Sequence, residues 1–147
     1  MSTLEAPIEA MRTANVAPAR TLAEKADAVR AWFSLVGIDL LMKSGGFHRF
    51  HQALGSWPVR GESSGPETVT KVCTAVDRAA TYYFKRAWCL QRSATAVFLL
   101  RRRGIDAQLV IGVQKIPFYA HAWAEVDGRV VNDHPVIQKK YTVLERC

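Results

Sequence analysis

Beyond Gly104 the hydrophobic period of this chain changes, and that change limits the folds open to it. Before Gly104 the apolar residues recur at three- and four-residue steps, the spacing of one helix face. After it, "AQLVIGVQ", "YAHAWAEV" and "RVVND" are short alternating or apolar runs, separated by "KIPF" and by Asp127-Gly128, which is the pattern of an antiparallel meander. Helices first and a sheet afterwards predict an α+β domain: N-terminal helices followed by an antiparallel sheet, with one helix packed on it.

The helical part has identifiable boundaries. Residues 1–20, with Pro7, Pro18 and many alanines, read as a flexible arm, and residues 21–147 as a single domain. Thr21 stands three residues before Glu24, the spacing of a capping box, so a helix is expected to follow. Its apolar positions are Leu22, Ala26, Val29, Trp32, Phe33 and Val36, and Gly37 is a plausible C-cap. "IDLLMK" continues apolar into Gly45 and Gly46, where the chain must turn, and the segment from His48 to Thr70, rich in Gly, Ser and Pro after Trp57, reads as a loop. A second helix over "ETVTKVCTAVDRAATYY" turns Val69, Val72, Cys73, Val76, Ala80 and Tyr83 inward. A third begins at Cys89, points Leu90, Ala94, Val97, Phe98 and Leu99 or Leu100 inward, and stops at Gly104. Arg101, Arg102 and Arg103 fall in its last turn, where the helix dipole favours cations.

Composition narrows the function. No apolar run approaches the roughly 18 residues of a membrane span, and the N-terminus lacks the charged and apolar regions of a signal peptide, so a cytoplasmic protein is expected. The cysteines Cys73, Cys89 and Cys147 are odd in number and show no CxxC spacing, against a disulfide framework or a zinc ribbon. The net charge is +7, which suits an acidic partner. The basic residues are scattered through amphipathic segments, however, and no nucleic-acid motif appears, so no nucleic-acid partner is expected. His48 and His51, three apart, would suit a metal on a helix, but no second ligand pair matches them, and neither a metal nor a cofactor is expected.

The chemistry concentrates around Cys89. A cysteine in the first turn of a helix feels the positive end of the helix dipole, and a nearby imidazolium stabilises a thiolate further. The hairpin after "YAHAWAEV" supplies candidates. With a two-residue turn at Asp127-Gly128, His121 and Asp133 point to opposite faces of the sheet. With a three-residue loop, Val126-Asp127-Gly128, Glu125 faces Arg129, Trp123 faces Val131 and His121 faces Asp133. The second register is expected. Asp133 then fixes one ring nitrogen of His121 and leaves the other for Cys89, the logic of nucleophile, base and orienting carboxylate. Asp127 is explained by its turn, and His134, before Pro135, is a weak alternative base. The backbone N–H of Cys89 is a candidate oxyanion donor, with the second donor unassigned.

"CLQRSATAVFLLRRRGIDAQLVIGV" followed by "AHAWAEVDGRVVND" resembles the transglutaminase-like cysteine protease family of lasso-peptide biosynthesis, closely over about residues 70–135. The resemblance implies a papain/transglutaminase-like core in which Cys89 attacks the bond joining leader to core of a ribosomally made precursor, with His121 as base and acid and Asp133 orienting it. It also implies a separate ATP-dependent macrolactam cyclase, similar to asparagine synthetases, as partner. Some relatives fuse a leader-recognition domain ahead of the protease, which needs more chain than residues 1–20, so a separate small leader-recognition protein is expected. Two other classes stay open: a non-catalytic adaptor that binds leader peptide, and a transglutaminase-like acyl transfer to an amine.

Overall fold

The computed structural model describes residues 20–62 and 64–147, so the expected arm lies, but for Arg20, outside the described residues. Helix α1 (Leu22–Ser56) starts at the expected cap: Thr21 Oγ1 accepts from the Glu24 N–H at 3.2 Å, and Glu24 Oε2 accepts from the Thr21 N–H at 3.1 Å. The expected stop at Gly37 does not occur. Gly37 is exposed, and a Cβ there would meet nothing within 4 Å; a glycine in an exposed helix costs only about 1 kcal/mol relative to alanine. Burial of Leu35 and Ile38 on either side of it carries the helix through. The break comes at Gly46 (φ 66°, ψ −178°), a kink beyond which helix resumes across His48 and His51, residues expected in a loop. The inward face also differs from the expected one. Leu22, Val29 and Phe33 are exposed, and Ala31, Leu35, Ile38, Phe50 and Leu54 form the buried stripe.

Helices α2 (Pro66–Thr81) and α3 (Cys89–Arg101) complete the helical layer. Val72, Cys73, Val76 and Tyr83 are buried as their spacing predicts. Strands β1 (Ala107–Gln114), β2 (Tyr119–Val126) and β3 (Arg129–Val130), a short helix α4 (Ile137–Lys140) and strand β4 (Thr142–Arg146) follow. The sheet order is β3-β2-β1-β4, with every pairing antiparallel. The α+β arrangement read from the period change is therefore the observed one, with α4 and β4 added.

Helix α3 lies between the other helices and the sheet. Ala94, Ala96, Val97 and Leu100 of α3 share one core with Leu109 of β1 and Ala122 and Ala124 of β2. The alanines let helix and sheet approach closely, while alternation along β2 sends Trp123 and Glu125 to the opposite face. There Trp123 packs with Val110 and Ile137. Gly112 permits this, since a Cβ at that position would meet the Trp123 ring at 2.7 Å. Glu125, 1% exposed, accepts from Trp123 Nε1 at 2.7 Å and Gln138 Nε2 at 2.9 Å and pairs with Arg146. Burial pushes its carboxyl up, but these three donors outweigh burial and hold it below the ordinary range.

The hairpin register corrects the sequence reading. Val126 pairs with Arg129 and Glu125 with Val130, so the turn is the two-residue Asp127-Gly128. Asp127 (φ 51°) and Gly128 (φ 72°) both adopt left-handed conformations, as a type I′ turn requires, and its twist matches that of the flanking strands. The three-residue register, with Glu125 opposite Arg129, is not formed.

Candidate functional site

Cys89 is the first residue of α3, half-buried, with Trp88 as the N-cap. The helix start is held from behind. Gln91 Oε1 accepts from the Trp88 N–H at 2.8 Å, and Gln91 Nε2 donates to Asp39 Oδ1 of α1 at 2.7 Å. Lys85 also pairs with Asp39 at 2.5 Å, and Lys43 at 3.4 Å. Burial pushes the Asp39 carboxyl up, but the two lysines outweigh it and keep it below its ordinary value. This polar cluster sets where α3 begins, and with it the place of the thiol.

In front of Cys89 lies a cleft of about 370 Å³ lined by Arg86, Trp88, Cys89, Arg92, Ser93, His121, Asn132 and Asp133. The three residues expected to carry the chemistry thus line one cleft. His121 and Asp133 are in direct contact, with the imidazole Nε2 2.7 Å from Asp133 Oδ2. The other carboxylate oxygen, Oδ1, accepts from the His134 N–H at 2.7 Å. Two aromatic rings back the imidazole, Tyr141 with centroids 5.3 Å apart and Trp123 at 6.2 Å. Nε2 is occupied by Asp133, which leaves Nδ1 as the free ring nitrogen. No hydrogen bond joins the Cys89 thiol to the imidazole among the described residues.

The contact between His121 and Asp133 forms in the register that was expected to forbid it. Strand β3 ends at Val130 and the chain bends through Val131, Asn132 and Asp133. Asp133 therefore reaches His121 from outside the ladder. His134 is exposed, and its Nδ1 accepts from the Val136 N–H at 3.2 Å within its own turn. Two arginines flank the opening: Arg86 lies over the Trp88 ring at 4.8 Å, and Arg92 pairs with Asp77.

The other two thiols sit in different surroundings. Burial first, and Asp77 second, push the Cys73 thiol up to about 11. Burial and Glu145 also raise Cys147, with Arg101 opposing them. His48 contacts Gln52, and His51 lies 2.6 Å from Glu145. Among the described residues no group of three or more His, Cys, Asp or Glu is arranged to hold a metal ion.

Sequence reasoning missed Asp39, Gln91, Ser93 and Asn132. Gln91 carried a readable signal, since a Gln at the third helical position commonly reaches back to the N-cap N–H. The others are joined only by folding: Asp39 and Gln91 lie 52 residues apart, Ser93 and Asn132 lie 39 apart.

Comparison with known proteins agrees with the family read from these residues. The microcin J25-processing protein McjB of Escherichia coli is 48% identical over 56 residues, which are 38% of this chain and 27% of that protein. The chain thus spans about a quarter of that relative's length. No solved structure matches the chain. Among the described residues no helix is long and apolar enough to cross a membrane. The family described as the Transglutaminase-like superfamily matches residues 32–146, from the middle of α1 to the end of β4, and the chain belongs to that superfamily.

Proposed function

We propose that this protein is a cysteine peptidase that removes the leader peptide from a ribosomally synthesised lasso-peptide precursor, with Cys89 as nucleophile, His121 as general base and acid, and Asp133 as orienting carboxylate. The observation that carries the reading is the 2.7 Å contact of His121 Nε2 with Asp133 at a cleft that Cys89 also lines. A carboxylate on Nε2 holds the imidazole in one tautomer and favours the imidazolium once a proton has been taken.

In this reading Nδ1 takes the thiol proton and the Cys89 sulfur attacks the scissile carbonyl carbon. The carbonyl electrons move to oxygen, which the Cys89 N–H stabilises, because the first N–H groups of a helix have no intrahelical acceptor. Collapse breaks the C–N bond, and His121 gives its proton to the departing core amine. Water, deprotonated by His121, then hydrolyses the thioester and frees the leader carboxylate. The freed amine is the group that an ATP-dependent macrolactam cyclase, similar to asparagine synthetases, would use. A separate leader-recognition protein would present the precursor. The whole of residues 21–147 would act as one unit, in the cytoplasm, with no nucleic-acid partner.

The family match favours one second reading, acyl transfer from the Cys89 thioester to an amine in place of water. Mass spectrometry of a matching precursor decides between them. The precursor is incubated with its leader-binding partner and either the native protein or Cys89→Ala. Loss of the leader as a free acid only with the intact thiol is the expected result, and a mass increment on an amine acceptor supports transfer. Equal cleavage by both samples would overturn the role of Cys89.

A further inference from the structure

The hairpin register alone places Asp133 on the Ala122 side of the sheet, away from His121, so something outside the ladder must bring the two together. Where β3 stops, the Ala124 N–H and the Ala122 carbonyl on the edge of β2 lose their strand partners, and buried backbone groups of this kind are satisfied in another way. Val131 N still donates to Ala124 O at 3.0 Å, but the Ala124 N–H donates to the side chain of Asn132, at 2.7 Å from Oδ1. The side chain thus stands where a backbone carbonyl would continue the strand, and the main chain is free to leave the sheet one residue before Asp133. On the other side, Asn132 Nδ2 donates to Ser93 Oγ at 2.9 Å, and Ser93 Oγ donates to Ala122 O at 2.9 Å. Ser93 is 1% exposed and lies one turn beyond Cys89 on α3.

We infer that Asn132 and Ser93 are positioning residues: a cross-brace that ties the bend carrying Asp133, and the strand carrying His121, to the helix carrying Cys89. The catalytic meaning of the brace rests on the peptidase reading above, whereas its geometry does not. The chain of donors runs one way, from Ala124 N–H into Asn132 and from Asn132 through Ser93 to Ala122 O, so each side chain uses both its donor and its acceptor capacity on separate elements. Removal of either side chain leaves a buried backbone group without a partner and loosens the bend. The charged side chains that line the cleft with the imidazole are Asp133, in contact with it, Arg86 and the Asp77-paired Arg92. None of them replaces the brace.

The test needs no substrate. Nitrogen-15 histidine NMR on the native chain reports the proton shared between His121 Nε2 and Asp133 as a protected low-field signal, which Asp133→Asn removes. Asn132→Ala and Ser93→Ala are expected to lose that signal as well while melting cooperatively, and Ser93→Thr, which keeps the hydroxyl, is expected to retain it. With precursor present, kcat in the two alanine variants should fall by about tenfold to a hundredfold with KM little changed, the consequence of a misplaced catalytic group. Should Asn132→Ala fail to fold, Ser93→Ala leaves the Ala124 bond in place and carries the test alone. An unaltered imidazole signal in the folded alanine variants, or none in the native protein, overturns the brace. A native protein that shows the signal and its loss in the variants, yet cleaves no precursor, sinks the peptidase reading and leaves the brace standing.

Discussion

The two ends of α3 are built for opposite purposes. At its C-terminal end Arg101, 7% exposed, donates from Nε to Ala107 O at 2.8 Å and from Nη1 to Leu54 O at 2.7 Å and Trp57 O at 3.3 Å. One guanidinium closes the end of α1, the segment after it and the start of β1 onto the helix end. At the N-terminal end Trp88 is 61% exposed, Cys89 opens onto a cleft, and the fastening runs behind the helix through Gln91 and Asp39. A cation suits the negative end of the helix dipole and a developing anion suits the positive end. The helix thus keeps its anchored end apart from the end that opens onto the cleft.

That contrast can be broken most directly at the anchored end. Arg101→Met removes the donor for three carbonyls and should cost about 3 kcal/mol of unfolding free energy, at about 1 kcal/mol for each carbonyl left without a partner. Urea denaturation measures it, with Cys89→Ala as the counterpart at the open end, expected to cost less than about 1 kcal/mol. If the two variants proved equally destabilised, the division between the ends would be wrong.

A smaller effect tests the fastening behind Cys89. Asp39→Asn should cost about 1 to 2 kcal/mol at neutral pH by weakening the bonds to Lys85 and Gln91. Its pH dependence has a definite sign. The folded carboxyl lies below the ordinary 3.8, so its contribution is fully present above that value and is lost as pH falls through the folded value. Urea midpoints of native protein and variant should therefore converge as the solution is acidified. Glu125 contributes with the same sign in both proteins, which is why the difference between them is the quantity to follow. Midpoints that stay equally far apart down to about pH 3 would remove the charge of Asp39 from the account.

The gentlest probe leaves the fold untouched. Brief alkylation at neutral pH followed by peptide mapping should label Cys89 before Cys73, whose thiol burial pushes up to about 11 and closes to reagent. Labelling of Cys73 at the same rate would mean that α2 opens as readily as the cleft.

How far these features were legible follows from the range of the interactions behind them. The capping box at Thr21 and Glu24 was readable because its atoms belong to one helical turn. The buried stripe of α2 and the placement of Cys89 at the start of α3 followed from spacing. Gly37 misled, since a local stop signal was outweighed by the burial of Leu35 and Ile38 on either side. Strand β4 went unread because "TVLER" is mostly exposed and has no inward-outward alternation; it exists through backbone pairing with β1, such as Val110 with Arg146. The hairpin register was misjudged for an instructive reason. The pairs Glu125 with Arg129, Trp123 with Val131 and His121 with Asp133 all favour the three-residue loop by their chemistry, and nothing local to Asn132 reveals that its side chain stands in for a carbonyl.

Short-range periodicity and residue chemistry suffice for an α+β order, a cysteine at the head of a helix, a Gly-containing turn between two strands, and a histidine and an aspartate near enough in chain for a bend to join them. Tertiary structure alone decided which bend that is, what holds it, and where the cleft opens. Those outcomes depend on partners 39 and 52 residues apart, and a buried polar atom accepts whichever partner the packed fold brings within hydrogen-bonding distance.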